Sequence, residues 1–104
     1  MYAIALVRYR RPLEEVLAVT ERHRAYLGQL KDEGVLLASG PMDPRAGGIL
    51  LLSIPDDEDV HACLDRIRDG DPYVRFGMAQ YELIPWNVGI GKEDLDRIGG
   101  GDRR

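Results

Sequence analysis

In the stretch Val35-Leu36-Leu37-Ala38-Ser39-Gly40-Pro41-Met42-Asp43-Pro44-Arg45-Ala46-Gly47-Gly48-Ile49-Leu50-Leu51-Leu52-Ser53-Ile54, two short apolar runs flank a polar segment rich in glycine and proline. Each run, residues 35–39 and 49–54, has the length of a strand and is bounded by turn residues. Strand, loop, strand is the economical reading, with the second strand antiparallel to the first. The unbroken Ile49 to Leu52 series lacks the alternation of a sheet with one wet side, which implies that both faces of that strand are covered.

Toward the N-terminus, the period changes. From Leu13 to Glu33, Val16, Thr20, His23, Leu27 and Leu30 recur at steps of four and three, so they share one stripe of an amphipathic helix. Glu14, Glu21, Arg22 and Lys31 fall largely outside it, and Gly34 is placed to cap its C-terminus. Before it, residues 2–9 are apolar and aromatic, a buried first strand that Arg8 to Pro12 leads into the helix.

Toward the C-terminus, Pro55-Asp56-Asp57-Glu58 supplies a helix start in which Asp56 or Asp57 caps and the acidic turn suits the helix dipole. Val60, Cys63, Leu64 and Ile67 form the inner face of that second helix. Asp71-Pro72 opens a brief turn, Met78 to Trp86 reads as the last strand, and a tail follows from Gly89. This tail, rich in glycine and charge and ending Gly99-Gly100-Gly101-Asp102-Arg103-Arg104, reads as mobile or as an arm on a partner, with one helical turn at Leu95 and Ile98.

The order is βαββαβ. It predicts an α+β, ferredoxin-like sandwich: a four-stranded antiparallel sheet with two helices on one face, spanning residues 1–90, and a tail over 91–104. Ile4, Leu6, Ile49, Leu50, Leu51, Leu52 and Leu83 are too continuous for a sheet with one wet side, so a second copy of the chain is expected to cover the face opposite the helices as a homodimer.

A chain of 104 residues supports one core and not two. Its net charge of -4 and the absence of a basic stripe argue against nucleic acid. The apolar N-terminal run is far shorter than the ~20 residues of a membrane helix. A lone Cys63 fits a reducing compartment, and the cytoplasm is the simplest location. Two histidines and one cysteine, widely scattered, make no metal signature. Gly47-Gly48 lacks the spacing of a phosphate-binding loop. No cofactor is expected.

His23 can exchange a proton near neutral pH from the inward stripe of the long helix, although such a histidine can equally be a satisfied core residue. Asp71 could fix the tautomer of an imidazole. Asp followed by Pro is also an ordinary way to begin a helix, and spacing alone favours that cap. Ser39 ends a strand with a hydroxyl that could bind substrate or simply serve the turn. Tyr26, Tyr73, Tyr81 and Trp86 could line a pocket or fill the core. Cys63 reads as core, and His61 as solvated.

His23-Arg24-Ala25-Tyr26-Leu27, Ser39-Gly40-Pro41, Asp71-Pro72-Tyr73 and Ile84-Pro85-Trp86, in this order and separation, resemble the YciI-like (YCII-related) family over residues 1 to about 90. That family is similar to the dimeric α+β barrels, among them muconolactone isomerase and several small monooxygenases. The resemblance implies a His-Asp active site at His23 and Asp71, with Ser39 and Tyr73 as substrate contacts. It implies a small-molecule ligand and lyase or isomerase chemistry on a cyclic or aromatic compound, since a dehalogenating lyase-type activity on a hydroxylated aromatic is known among relatives. The alternative is an accessory protein that binds a small ligand in the same pocket without turning it over.

Overall fold

The computed structural model describes residues 1–100; Gly101 to Arg104, the end of the expected tail, lie outside the described residues. The strands are β1 (Tyr2–Tyr9), β2 (Leu36–Pro41), β3 (Gly47–Ser53) and β4 (Ala79–Trp86). The helices are α1 (Leu13–Leu17), α2 (Thr20–Asp32), α3 (Val60–Gly70), α4 (Pro72–Arg75) and α5 (Lys92–Leu95), and a π-helical turn spans Asp96–Gly100.

The sheet order is β2-β3-β1-β4, and every neighbouring pair is antiparallel. Alternation within β1 sorts its two faces. Ala3, Ala5 and Val7 are buried with Leu50, Leu52, Leu64 and Ile67 in the core, while Ile4 and Leu6, on the other face, are only partly buried. Small alanines on the central strand let helices approach the sheet closely. No described helix is long and apolar enough to cross a membrane.

Two expectations need correction. The single helix over 13–33 is two helices, broken at Ala18 and Val19. Val19 N donates to Val16 O at 3.0 Å, a tightened turn, and the Thr20 hydroxyl claims the same carbonyl at 3.1 Å. Such back-bonding by threonine competes with the helical ladder and turns the axis. The second long helix is capped neither by Asp56 nor by Asp57 but by Asp59, whose side chain accepts from Ala62 N at 3.0 Å. Asp56 instead meets the N-terminal ammonium at 3.2 Å. The tail holds a helical turn at Leu95, α5, as expected, and its Asp96 accepts a 2.6 Å hydrogen bond from the Tyr2 hydroxyl.

Gly34 does end α2 as expected. At φ 80° it adopts the left-handed conformation, with Gly34 N bonded to Lys31 O and Val35 N to Leu30 O, both at 3.0 Å. This pair of bonds satisfies carbonyls the helix end would otherwise leave open. β2 then carries a bulge: Leu36 pairs with Leu52, but Ala38 pairs with Leu51 and Ser39 with Leu50. The extra residue turns Ser39 toward the helix side of the sheet, where an unbroken register would have put Ala38.

Candidate active site

Asp71 sits where two helices meet. It is the C-cap of α3 and the N-cap of α4, and Pro72 begins the new helix without needing a backbone donor. Its Oδ1 accepts from Tyr73 N at 2.9 Å as the cap requires. The same oxygen lies 2.8 Å from His23 Nδ1, contributed by α2. Oδ2 accepts from the Tyr81 hydroxyl at 2.5 Å. Thus the cap and the histidine partner, rival descriptions from sequence, belong to one carboxylate that is 0% exposed.

Around this carboxylate the phenols stay protonated. Burial first, then the charge of Asp71 and the hydrogen bond to it, push Tyr81 far above its ordinary range, so it remains a donor. Tyr26, which donates to Ile67 O at 2.7 Å and ties α2 to α3, is pushed up to about 12, by burial and then by the charge of Asp71. Among the described residues, no buried side-chain nitrogen or oxygen lacks a hydrogen-bond partner.

The His23 ring is stacked on Tyr73, with centroids 3.8 Å apart and planes 9° from parallel. The Tyr73 hydroxyl is 2.7 Å from that of Thr20, and Tyr9 meets the Tyr73 ring edge-on at 5.9 Å. The imidazole is therefore fixed by a hydrogen bond at one nitrogen and by an aromatic plane on one face. Its Nε2 is the nitrogen left for other partners.

His23 and Tyr73 line a cavity of about 230 Å³ at the Val7 end of the sheet, and Ser39 reaches it through the β2 bulge. The four residues singled out from sequence therefore gather here, three on the cavity wall and Asp71 behind His23. The sequence offered Tyr81 as a pocket-lining or core residue but not as a donor to Asp71, and Tyr9, Thr20, Arg24 and Arg45 on the wall were missed. The signal for Tyr81 lay in the alternation of β4: Ala79, Tyr81 and Leu83 share the helix-facing side, paired with Tyr9, Val7 and Ala5. Cys63 is buried core and His61 is exposed, as expected. Among the described residues no group of three or more His, Cys, Asp or Glu side chains gathers where a metal could be held.

The YCII-related domain, a protein-family model, matches residues 1–87. Protein YciI of Escherichia coli O6:H1 is 33% identical over 78 residues, which cover 69% of this chain and 80% of that protein. Protein YciI of Shigella flexneri matches to the same extent, 33% over 78 residues. Among solved structures, the 5-chloro-2-hydroxyhydroquinone dehydrochlorinase of Burkholderia phenoliruptrix AC1100, in complex with 2,5-dihydroxybenzoquinone, shares the fold. Its TM-score is 0.64 over 86% of this chain and 96% of that one, at 23% sequence identity.

Proposed function

The chain belongs to the YCII-related domain family, and from that premise we propose that it is a small-molecule enzyme in which His23 and Asp71 move a proton on a cyclic or aromatic compound, by elimination or isomerisation. The observation that carries this reading is the 2.8 Å bond between His23 Nδ1 and a fully buried Asp71 at the wall of a cavity. A carboxylate on Nδ1 keeps the proton there, which leaves Nε2 with a lone pair as a general base. When Nε2 takes a proton from the substrate, the imidazolium forms against the Asp71 charge. Tyr81 and the Tyr73 amide hold that carboxylate still meanwhile. The proton then returns to another substrate atom, or a leaving group departs. The dehydrochlorinase that shares this fold is named for an elimination and was solved with a six-membered ring compound, which supports the choice of reaction class.

The reading includes a homodimer in which two open sheet faces meet. Ile49, Ile84 and Trp86 are 43%, 38% and 39% exposed on that face, an apolar patch that a second copy would cover.

Screening hydroxylated aromatics and lactones for turnover tests the proposal. At least one compound should react with the wild type and not with His23→Ala. Asp71→Asn retains a capping oxygen, so the protein should fold, while turnover falls by about 10²- to 10⁴-fold with ligand affinity nearly unchanged. A compound that binds beside His23 without reacting would favour the accessory ligand-binding role, and turnover indifferent to His23→Ala would overturn the assignment.

A further inference from the structure

The cavity beside His23 has two arginines in its wall, Arg24 from α2 and Arg45 from the loop between β2 and β3, and no aspartate or glutamate lines it. This runs against the chain as a whole, which carries a net charge of -4. Among the described residues neither arginine is in an ion pair, whereas Arg8, Arg66 and Arg68 each hold a carboxylate. A neighbouring groove of about 290 Å³ shares Arg24, adds Lys31 and again has no acidic side chain. The mouth of the site is cationic.

Arg45 is aimed rather than loose. Its Nε donates to the Tyr9 hydroxyl at 3.1 Å, Tyr9 packs edge-on against Tyr73, and Tyr73 stacks on His23. One aromatic series thus fixes both the guanidinium and the imidazole. Of the five N–H donors of a guanidinium this arrangement uses one, leaving the forked pair that matches a carboxylate. Size narrows the occupant further. A cavity of roughly 150 Å³ accepts benzene, so about 230 Å³ has room for one ring with one or two substituents.

The geometry points to single-ring carboxylates as the substrate class: Arg24 and Arg45 hold the anionic group, and the ring lies against His23. This deepens the reading of the pocket as a substrate site and rests on it. The arginines set the register of the ring, so that its reacting carbon faces Nε2.

Benzoate and its neutral isostere benzamide are the probes, titrated into the full chain and followed by amide chemical shifts. The wild type should bind benzoate roughly tenfold or more tightly than benzamide, because hydrogen bonds between charged partners exceed neutral ones. Raising the salt concentration should narrow the gap. The Arg24→Gln/Arg45→Gln double variant should bind the two equally, at the wild-type affinity for benzamide. His23→Ala should keep the preference for benzoate, so a failure to find any turnover leaves this binding result standing and bears only on catalysis. Equal affinity for both probes in the wild type, binding of neither, or a preference that survives the double substitution would overturn the inference.

Discussion

A buried carboxylate is costly unless its lone pairs are met, and at Asp71 the donors come from three elements: His23 on α2, the Tyr73 amide on α4 and Tyr81 on β4. From the residues alone His23 could equally be core and Asp71 read as a helix cap, and it was the order of the YciI-like motifs that joined them as a pair. Tyr81 could be named only as a pocket-lining or core aromatic, because a tyrosine in a strand normally just packs, and only the fold reveals what its hydroxyl touches. Tyr81 bonds Asp71 and is not part of the cavity wall, so in the proposed site its effect would pass through Asp71. Tyr81→Phe keeps the ring and removes the donor from Oδ2, and should cost about 1 to 3 kcal/mol of stability in denaturant unfolding. If Tyr81 positions the pair, kcat falls while KM holds; an unchanged kcat would reduce it to a structural contact.

The strands and the two long helices follow from periodicity, yet their joints do not. Nothing in the spacing of Val16, Thr20 and His23 announces that the Thr20 hydroxyl will reach both Val16 O and Tyr73, so the break before α2 was hidden. The β2 bulge was hidden for the same reason, although it is what brings Ser39 to the cavity. At the start of β3, Gly47 lies so close to β1 that a Cβ there would stand 1.8 Å from the Val7 carbonyl oxygen. Backbone cannot yield as a flexible side chain can. Gly47→Ala should therefore destabilise by about 1 to 3 kcal/mol or more, read as a lower urea midpoint with an unchanged slope. Between helices, the Tyr26 bond to Ile67 O carries a pH dependence. Its phenol is raised from 10.0 to about 12, so the proton is held more tightly in the folded state. The contribution is complete below pH 10 and is lost as pH climbs through about 12. Urea midpoints measured across that window should fall less steeply for Tyr26→Phe than for the wild type.

Over the whole molecule, the βαββαβ order was legible because junctions between elements carry their own turn residues, Arg11-Pro12, Gly34, Pro55 and Asp71-Pro72 among them, although Gly40-Pro41, read as the end of the second strand, is paired within β2. The open face was legible too, as apolar residues where alternation would place polar ones. Its cross-strand rows are graded. Leu51, Ile4 and Ile84 form an apolar row; in the next, Ile49 and Leu6 stand beside Glu82, which meets Arg8 at the far end in a 3.1 Å ion pair. At the near end Asp96 of the tail holds the Tyr2 hydroxyl, so the apolar rows between are what a second copy would cover. Two such faces packed together should bury on the order of 1,200 to 2,000 Å². Light scattering at micromolar concentration should give twice the mass of the chain. Ile84→Lys puts a charge in the central row, where a partner would strip its water, and should shift the mass to that of one chain while the helical circular dichroism signal stays as it was. A wild type that scatters as a monomer, or an Ile84→Lys variant that remains dimeric, would mean that this face is not the interface.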